Sequence, residues 1–260
     1  QIRFKTSIDP ATFSLADLYL TGPSGAVSFS SLQASSTVSY VANLSTPVTQ
    51  DGTYNITIGP AIAATNGLVM TNVWTGSFTM DQAPPAAPVV TNYAVLPTVN
   101  NVRTNIVLVR GTRDANTALE VNGVEQIALG SGAWVYPMTL VQGANSADFV
   151  SRDVAGNQSS VTSVRWLMDT IAPQVSSIVP ASGSSTNVVP ALLSIVIQES
   201  GSGVDLDRSS VTVKLNGVVW AGTRAMNGST LEFTPSLPWQ VGAYEVQVRP
   251  VDRLANTGTL

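Results

Sequence analysis

The sequence predicts an all-β protein made of three successive β-sandwiches, from the spacing of its apolar residues, its composition and an internal repeat. Apolar residues alternate along the chain, as Trp134, Tyr136, Met138 and Leu140 do. A period of two residues places such side chains on one face of a β-strand. We therefore expect strands with one buried face. Further central residues of these strands are Val38, Tyr40, Leu231 and Phe233.

Short strands are also indicated by runs of β-branched residues that end at Gly, Asn or Pro. The clearest runs are residues 54–58, 106–109, 211–215 and 244–248. Only one helical signal occurs, at Asp9 and Pro10, where an aspartate can cap the first amides and a proline fits the first turn. We expect no helix longer than one turn.

The composition excludes several kinds of chemistry. The 260 residues include no Cys and no His, and only 11% are charged. Thiol nucleophiles, Ser-His-Asp relays, disulfides and zinc or haem sites all require sulfur or imidazole. Two carboxylates alone can hydrolyse a glycosidic bond, but Glu199 and Asp205 lie in a Gly/Ser-rich turn with no sign of a cleft. We expect no enzymatic activity.

The charge pattern argues against nucleic-acid and membrane partners. The net charge is −4, and the 12 Lys and Arg residues are scattered along the chain. Binding to a phosphate backbone needs a clustered basic surface. The longest apolar stretch, residues 188–197, is interrupted by Pro190 and is far shorter than the roughly 20 residues that span a bilayer. We expect no binding of nucleic acid and no membrane insertion.

An internal repeat divides the chain. Three segments run from a Gly to an Asn over 14 residues: Gly52 to Asn66, Gly143 to Asn157 and Gly242 to Asn256. The steps between the glycines are 91 and 99 residues, close to the size of one sandwich. Pro-containing linkers begin at Asp81 and Asp169. The predicted domains are residues 1–86, 87–172 and 173–260.

The first and third repeats are incomplete when the copies are aligned. The first copy lacks its opening strand, and the third stops four residues after Asn256, before a full final strand. One interpretation is that the chain is a window on a longer tandem array. The other is that neighbouring chains complete the open edges, as in donor-strand polymers. Both interpretations remain open at the level of the sequence.

The repeat resembles bacterial immunoglobulin-like domains. The resemblance rests on residues 143–157 followed by Asp169-Thr-Ile-Ala-Pro173, and on residues 199–217 followed by Asp252-Arg-Leu-Ala-Asn256. It implies seven- or eight-stranded immunoglobulin-like sandwiches in an extended array, in a secreted or cell-surface bacterial protein. Such domains usually act as spacers, and their partners are neighbouring domains of the same kind. The first copy departs from the pattern, because Ile62 stands where the others have Asp153 and Asp252.

Calcium is the one cofactor for which the sequence offers ligands. Oxygen-rich loops at the ends of sandwiches can supply the carboxylates and carbonyls that this cation prefers. Three groups of candidate ligands stand out: Asp153 and Asn157 with linker residue Asp169; Asp252 with Asn256; and Glu199 with Asp205 and Asp207. The alternative is that each side chain caps its own turn by accepting bonds from backbone amides.

Sugar binding is a further possibility, because flat aromatic faces can stack on a ligand. Among the five tryptophans, Trp239 beside Pro238 is the best candidate for an exposed platform. The alternative is that each tryptophan fills a sandwich core, as one usually does in this architecture.

The sequence therefore predicts a non-catalytic, extracellular structural region. We expect a spacer of a bacterial cell-surface adhesin or filament, with calcium as a stiffening ion and a cell-surface or glycan target as a partner. The first alternative is a carbohydrate-binding accessory region of a secreted polysaccharide-acting protein. The second is a self-assembling filament subunit.

Overall fold

The computed structural model describes residues 1–259, and it confirms the all-β fold. Residues 1–86 contain β1 (Ile2–Arg3), β2 (Leu18–Gly22), β3 (Gly25–Val27), β4 (Phe29–Ser36), β5 (Ser39–Leu44), β6 (Gly52–Ile58) and β7 (Trp74–Met80). Residues 87–172 contain β8 (Val89–Val90), β9 (Val99–Val102), β10 (Ile106–Thr112), β11 (Thr117–Val121), β12 (Val124–Gly130), β13 (Ala133–Thr139), β14 (Gly143–Arg152) and β15 (Thr162–Met168). Residues 173–259 contain β16 (Gln174–Val179), β17 (Leu193–Gln198), β18 (Ser210–Leu215), β19 (Val218–Val219), β20 (Gly222–Asn227), β21 (Thr230–Pro235) and β22 (Tyr244–Arg249).

Helical structure in the described residues is limited to two single turns of 3-10 helix, Pro10–Thr12 and Leu15–Asp17. The first begins as expected, because the side chain of Asp9 accepts a hydrogen bond from the amide of Ala11 at 3.0 Å. No described helix has the length and hydrophobicity needed to cross a membrane.

The second sandwich has the most complete set of strands. One sheet has the order β12-β11-β14-β15-β9, and the other has the order β13-β10-β8. Strand β15 lies between β14, to which it is antiparallel, and β9, to which it is parallel. Two sheets whose strands alternate in the sequence in this manner form an immunoglobulin-like sandwich.

The core of the second sandwich confirms the predicted alternation. Trp134 is buried and stacks on Phe149 with ring centroids 5.3 Å apart, and Phe149 and Trp166 are inaccessible to solvent. Tyr136 and Met138 point to the same side of β13 but lie at the edge of this core, where they are only partly buried. The tryptophan, rather than Tyr136, is the central residue of the strand.

The third sandwich has the sheets β16-β17-β21-β20 and β19-β18-β22. Leu231 and Phe233 are buried in its core as expected, together with Ile195 and Ile197 of the paired strand β17. In the described part of the chain, β22 forms a ladder with β18 alone. Strand β22 is thus the edge strand of this sheet among the described residues.

The first segment has the sheets β3-β2-β6-β7 and β1-β5-β4. Its core includes Tyr40, as expected, in edge-to-face contact with Phe4 and Phe13. Strand β1 has only two residues and pairs only with β5 among residues 1–259. Strand β1 is thus likewise an edge strand among the described residues.

The chain divides into two compact units. One consists of Gln1–Pro85 with Arg152–Ser159, and the other consists of Ala86–Ser151 with Ser160–Leu260. The second unit includes both the second and the third sandwich. The predicted boundary at residue 172 thus lies inside one compact unit.

We expect Phe149→Ala to destabilise the second unit by about 3–5 kcal/mol, because it removes a fully buried ring and leaves a cavity beside Trp134. Chemical denaturation followed by tryptophan fluorescence measures this loss. Val135→Ala, on the outward face of β13, is the matched control and should cost little. Equal losses in the two variants would contradict the assigned facing of the strands.

Candidate functional site

Asn256 closes the loop after β22. It forms hydrogen bonds both within this loop and to the linker before the third sandwich. The backbone amide of Asn256 donates to Oδ1 of Asp252 at 2.8 Å, and its side-chain Nδ2 donates to Oδ2 at 2.6 Å. The same Nδ2 donates to the carbonyl oxygen of Asp169 at 3.1 Å. Asp252 and Asn256 are both buried. We call this arrangement the Asn256 clasp.

The loop after β14 has the same construction. The amide and Nδ2 of Asn157 donate to the two carboxylate oxygens of Asp153 at 2.9 and 3.0 Å, and Nδ2 also donates to the carbonyl oxygen of Asp81 at 2.9 Å. Each loop thus holds the linker aspartate that precedes its own sandwich. The predicted grouping of Asp153 and Asn157 with Asp169 is therefore wrong, because Asp169 belongs with Asp252 and Asn256.

Three carboxylates meet at the boundary between the second and third sandwiches. Asp169, Glu199 and Asp252 each place one carboxylate oxygen within 4.8 Å of the other two. Asp169 and Asp252 are inaccessible to solvent, and Glu199 is partly buried. We call these three residues the carboxylate cluster. It draws one residue from each of the three groups predicted from the sequence.

Hydrogen bonds from both sandwiches hold Asp169 in position. Its Oδ1 accepts from Nε2 of Gln142 at 2.9 Å and from the amide of Ile171 at 3.1 Å, and its Oδ2 accepts from the amide of Ser202 at 2.7 Å. Gln142 belongs to the second sandwich and Ser202 to the third. The Asp169 carboxylate is therefore the polar link between them.

The turn at residues 199–203 approaches Asp169 so closely that it requires glycine. A Cβ atom at Gly201 would lie 2.3 Å from the carboxylate carbon of Asp169. Any other residue would push the carboxylate or the turn aside. The amide of Gly201 in turn donates to Oε1 of Glu199 at 2.6 Å, which orients the third carboxylate of the cluster.

The electrostatics of the cluster are uneven. Burial favours a raised pKa for Asp169, but hydrogen bonds from Ser202, Gln142 and Ile171 outweigh it, and the pKa lies below its ordinary value. Burial raises the pKa of Glu199, and the nearby charges of Asp169 and Asp252 raise it further, against the opposing bond from Gly201. The surroundings thus favour the charged form of Asp169 and disfavour the charged form of Glu199.

This arrangement could hold a hard cation. Carboxylate, carbonyl and hydroxyl oxygens are the ligands that Ca²⁺ prefers. Besides the three carboxylates, the hydroxyl of Ser202 is buried beside Asp169 and makes no well-aligned hydrogen bond within residues 1–259. Each carboxylate oxygen that accepts one amide bond retains a lone pair for a metal. The donor set thus fits calcium.

Asp205 and Asp207 lie apart from the cluster. Oδ1 of Asp205 accepts from the amides of Asp207 and Arg208, and its Oδ2 lies 3.4 Å from Nε of Arg208. Asp205 thus caps its own turn, which was the alternative considered for these residues. Glu199, which the sequence grouped with them, turns instead toward Asp169.

Trp239 lies at the other end of the third sandwich. Its ring packs edge-to-face on Tyr244 with centroids 5.0 Å apart and lies 6.4 Å from the ring of Phe233. It is partly buried and lines a cavity of about 820 Å³. Sugar stacking on this residue remains a prediction.

Sequence reasoning missed Gln142 and Ser202. Gln142 is adjacent to the repeat residue Gly143, and Ser202 lies among the glycines at 201 and 203. Neither residue type is specific for a site, so only their hydrogen bonds to Asp169 reveal their role. The missed pairing of Asp81 with Asn157 could have been found, since Asp81 precedes the second copy as Asp169 precedes the third.

No family model matches the chain, and no curated protein matches it. Among solved structures, it is similar to the fibronectin(III)-like modules of CbhA from Clostridium thermocellum, with 12% identity, a TM-score of 0.37, and coverage of 65% of this chain and 82% of that one. It is also similar to the ectodomain of human desmocollin-1, with 11% identity, a TM-score of 0.31, and coverage of 94% of this chain and 50% of that one. A third similar structure is SGBP-B of a mixed-linkage glucan utilization locus from Bacteroides ovatus, in complex with a heptasaccharide, with 13% identity, a TM-score of 0.21, and coverage of 97% and 59%. The immunoglobulin-like fold is established by the strand order of the chain itself.

We expect Asn256→Ala to destabilise the third sandwich by about 1–3 kcal/mol, because it leaves a buried carboxylate and a buried carbonyl without their donor. Thermal unfolding of the whole chain measures the effect. Asn157→Ala removes the same bonds in a more exposed loop and should cost less. A larger loss for Asn157→Ala would contradict the importance of burial.

Proposed function

We propose that this chain is a non-catalytic spacer of a bacterial cell-surface adhesin or extracellular filament, stiffened by calcium between its second and third sandwiches. The observation that carries the proposal is the carboxylate cluster, where the linker residue Asp169 meets Glu199 and Asp252 of the next sandwich. A spacer transmits position or force, so its linkers must resist bending. The bonds that hold Asp169 already limit movement at this linker.

Calcium would complete this link. Two fully buried carboxylates and a third that is partly buried repel one another in a region of low dielectric. A divalent cation removes that repulsion and binds the linker to the next sandwich through a single centre. The ligands would be Asp169, Glu199 and Asp252, with Ser202 as a further oxygen. Asp153, Asn157, Asp205 and Asp207 remain predicted ligands without a cluster around them in the described chain.

The experiment is thermal unfolding of the whole chain in millimolar calcium and in chelator. Calcium at 100 times its dissociation constant should add about 2.7 kcal/mol to the stability of the folded state. The transition of the second unit should therefore move to higher temperature. An unchanged transition would overturn the calcium part of the proposal and leave a spacer held by hydrogen bonds alone.

The variant Glu199→Gln distinguishes two effects on stability: the binding of a cation, and the loss of repulsion among the three carboxylates. In chelator the variant should be at least as stable as the parent at neutral pH, because one of three like charges is gone. In calcium it should lose most of the stabilisation, because a ligand is gone. Glu245→Gln, an exposed change on β22, should leave the calcium response intact. A variant that keeps the full calcium response would exclude Glu199 as a ligand.

The pH dependence follows from the raised pKa of Glu199. A carboxyl group whose pKa is higher in the folded state contributes stability that is complete below its unfolded value, 4.5, and is lost as the pH rises through the folded value. In chelator the chain should lose this contribution above pH 4.5, and Glu199→Gln should not. Asp169 acts in the opposite direction, since its lowered pKa yields stability that is lost only on acidification below 3.8. Denaturation midpoints from pH 3 to 8 measure both trends.

A carbohydrate-binding accessory region is the second candidate, and the position of Trp239 beside a cavity favours it. Binding of an oligosaccharide should then raise the unfolding temperature by mass action. The shift should be absent in Trp239→Phe, which keeps an aromatic packing residue on Tyr244 but reduces the stacking face. A shift that survives this change would exclude Trp239.

A further inference from the structure

The carboxylate cluster is closed to solvent around two of its three carboxylates. Asp169 and Asp252 have exposures of 0%. Ser202, whose hydroxyl is the further oxygen donor, is 9% exposed, and Glu199 is partly buried. A hydrated divalent cation is larger than a water molecule, because it keeps a shell of oxygen ligands around it. A cation therefore enters or leaves this site only when part of the surrounding structure moves aside.

Two of the three elements around the cluster are held by several hydrogen bonds each. The carboxylate of Asp169 accepts from Gln142 of the second sandwich at 2.9 Å and from the amide of Ile171 at 3.1 Å. The carboxylate of Asp252 accepts two bonds from Asn256, and the amide of Asp252 donates to the carbonyl oxygen of Asn256 at 3.1 Å. Movement of either element would break several of these bonds at once, and each buried polar group left without a partner is costly.

The turn at residues 199–203 is the third element, and it is the one that can move. Its sequence, Glu-Ser-Gly-Ser-Gly, contains no apolar side chain that could anchor it in a core. The amide of Gly201 donates to Glu199 within the turn, so this bond persists when the turn moves as a whole. The amide of Ser202 fastens the middle of the turn to Oδ2 of Asp169 at 2.7 Å. Segments with few buried apolar contacts are the ones that open locally, so this turn opens at the lowest cost of the three elements.

Both ends of this turn are fixed. It follows β17, which is paired with a strand on each side. At its other end the amide of Arg253 donates to the carbonyl oxygen of Gly203 at 2.9 Å, and Gly203 has a φ of +87°, a conformation that favours glycine. The turn also carries two of the oxygen donors of the site, Glu199 and Ser202. Its movement therefore uncovers the cluster and withdraws two ligands, while Asp169 and Asp252 stay in place.

We propose that residues 199–203 form a lid, which opens to admit the cation of the carboxylate cluster and closes over it by supplying Glu199 and Ser202 as ligands. This inference rests on the proposed function, because the cation is the one that stiffens the boundary. Without a cation, repulsion of Glu199 by Asp169 and Asp252 favours the open lid. With a cation, the attraction between the ion and Glu199 favours the closed lid.

The lid determines how long the boundary stays stiff when the calcium concentration falls. Release of the cation requires the lid to open first, so release cannot be faster than opening. Lid opening and local unfolding in proteins take from microseconds to seconds. The boundary between the second and third sandwiches therefore stays rigid during any loss of calcium that is shorter than the lifetime of the closed lid.

Hydrogen exchange of the whole chain in chelator tests the lid without a cation. The amides of Ser202 and Asn256 are both buried, and each donates to a buried carboxylate, that of Asp169 or of Asp252. An opening lid exposes the first amide and not the second. After correction for intrinsic rates, we expect the amide of Ser202 to exchange at least about tenfold faster than that of Asn256, and calcium to slow it. Equal exchange of the two amides in chelator would overturn the proposal, because the boundary would then open as a whole.

Calcium release tests the lid in the loaded chain. Mixing the calcium-loaded chain with an excess of a fluorescent chelator in a stopped-flow instrument gives the release rate. Ser200 is exposed, and Ser200→Gly adds a third glycine to the lid. The variant should release calcium about two- to fivefold faster, because an added glycine disfavours the ordered backbone by that factor. Ser185→Gly, a matched exposed change in the loop between β16 and β17, should leave the release rate unchanged.

The outcomes distinguish the lid from the proposed function. If the parent chain binds calcium but Ser200→Gly releases it at the parent's rate, the lid is overturned and the calcium-stiffened spacer stands. If the parent chain binds no calcium, the calcium part of the proposed function is overturned, and the lid with it. Faster release from Ser200→Gly together with faster exchange of the Ser202 amide would support the lid.

Discussion

Burial of alternate side chains between two sheets is the constraint on which the rest of this structure depends. The chain has no disulfide to hold its sandwiches together. Each sandwich must therefore exclude water from its core with side chains alone, and each strand contributes every second residue to that core. In the second sandwich, β15 contributes Trp166 at its centre.

Hydrogen bonds from loop asparagines hold the linker residues Asp81 and Asp169. A buried carbonyl or carboxylate must find a donor, and a single asparagine satisfies three acceptors in each clasp. The Asn256 clasp also links a loop to a linker. The residue that closes the loop at the end of a sandwich binds the linker that precedes the same sandwich. Because one asparagine makes all three hydrogen bonds, a short repeated motif can position both a turn and a domain boundary.

The carboxylate cluster is a consequence of that positioning. Asp169 is brought to Asp252 by the clasp, and Gly201 lets the turn that carries Glu199 close on the same carboxylate. Hydrogen bonds outweigh burial at Asp169, whereas at Glu199 burial and the charges of its two neighbours outweigh the bonds from nearby amides, and the pKa of Glu199 is raised. A cation would relieve this imbalance at the boundary between the second and third sandwiches.

The sequence by itself determined the class of fold, the short strands, the core position of Trp134 and the loop repeat from glycine to asparagine. These features are local, because alternation and turn residues act within a few positions of the chain. It did not determine that Asp169 pairs with Asp252, that Asp205 turns to its own loop, or that Tyr136 lies at the edge of the core. Those outcomes depend on which loop ends meet and on how far each strand extends under the opposite sheet. Only the tertiary structure decides them, because residues 33 to 87 positions apart come into contact only when the sheets have closed.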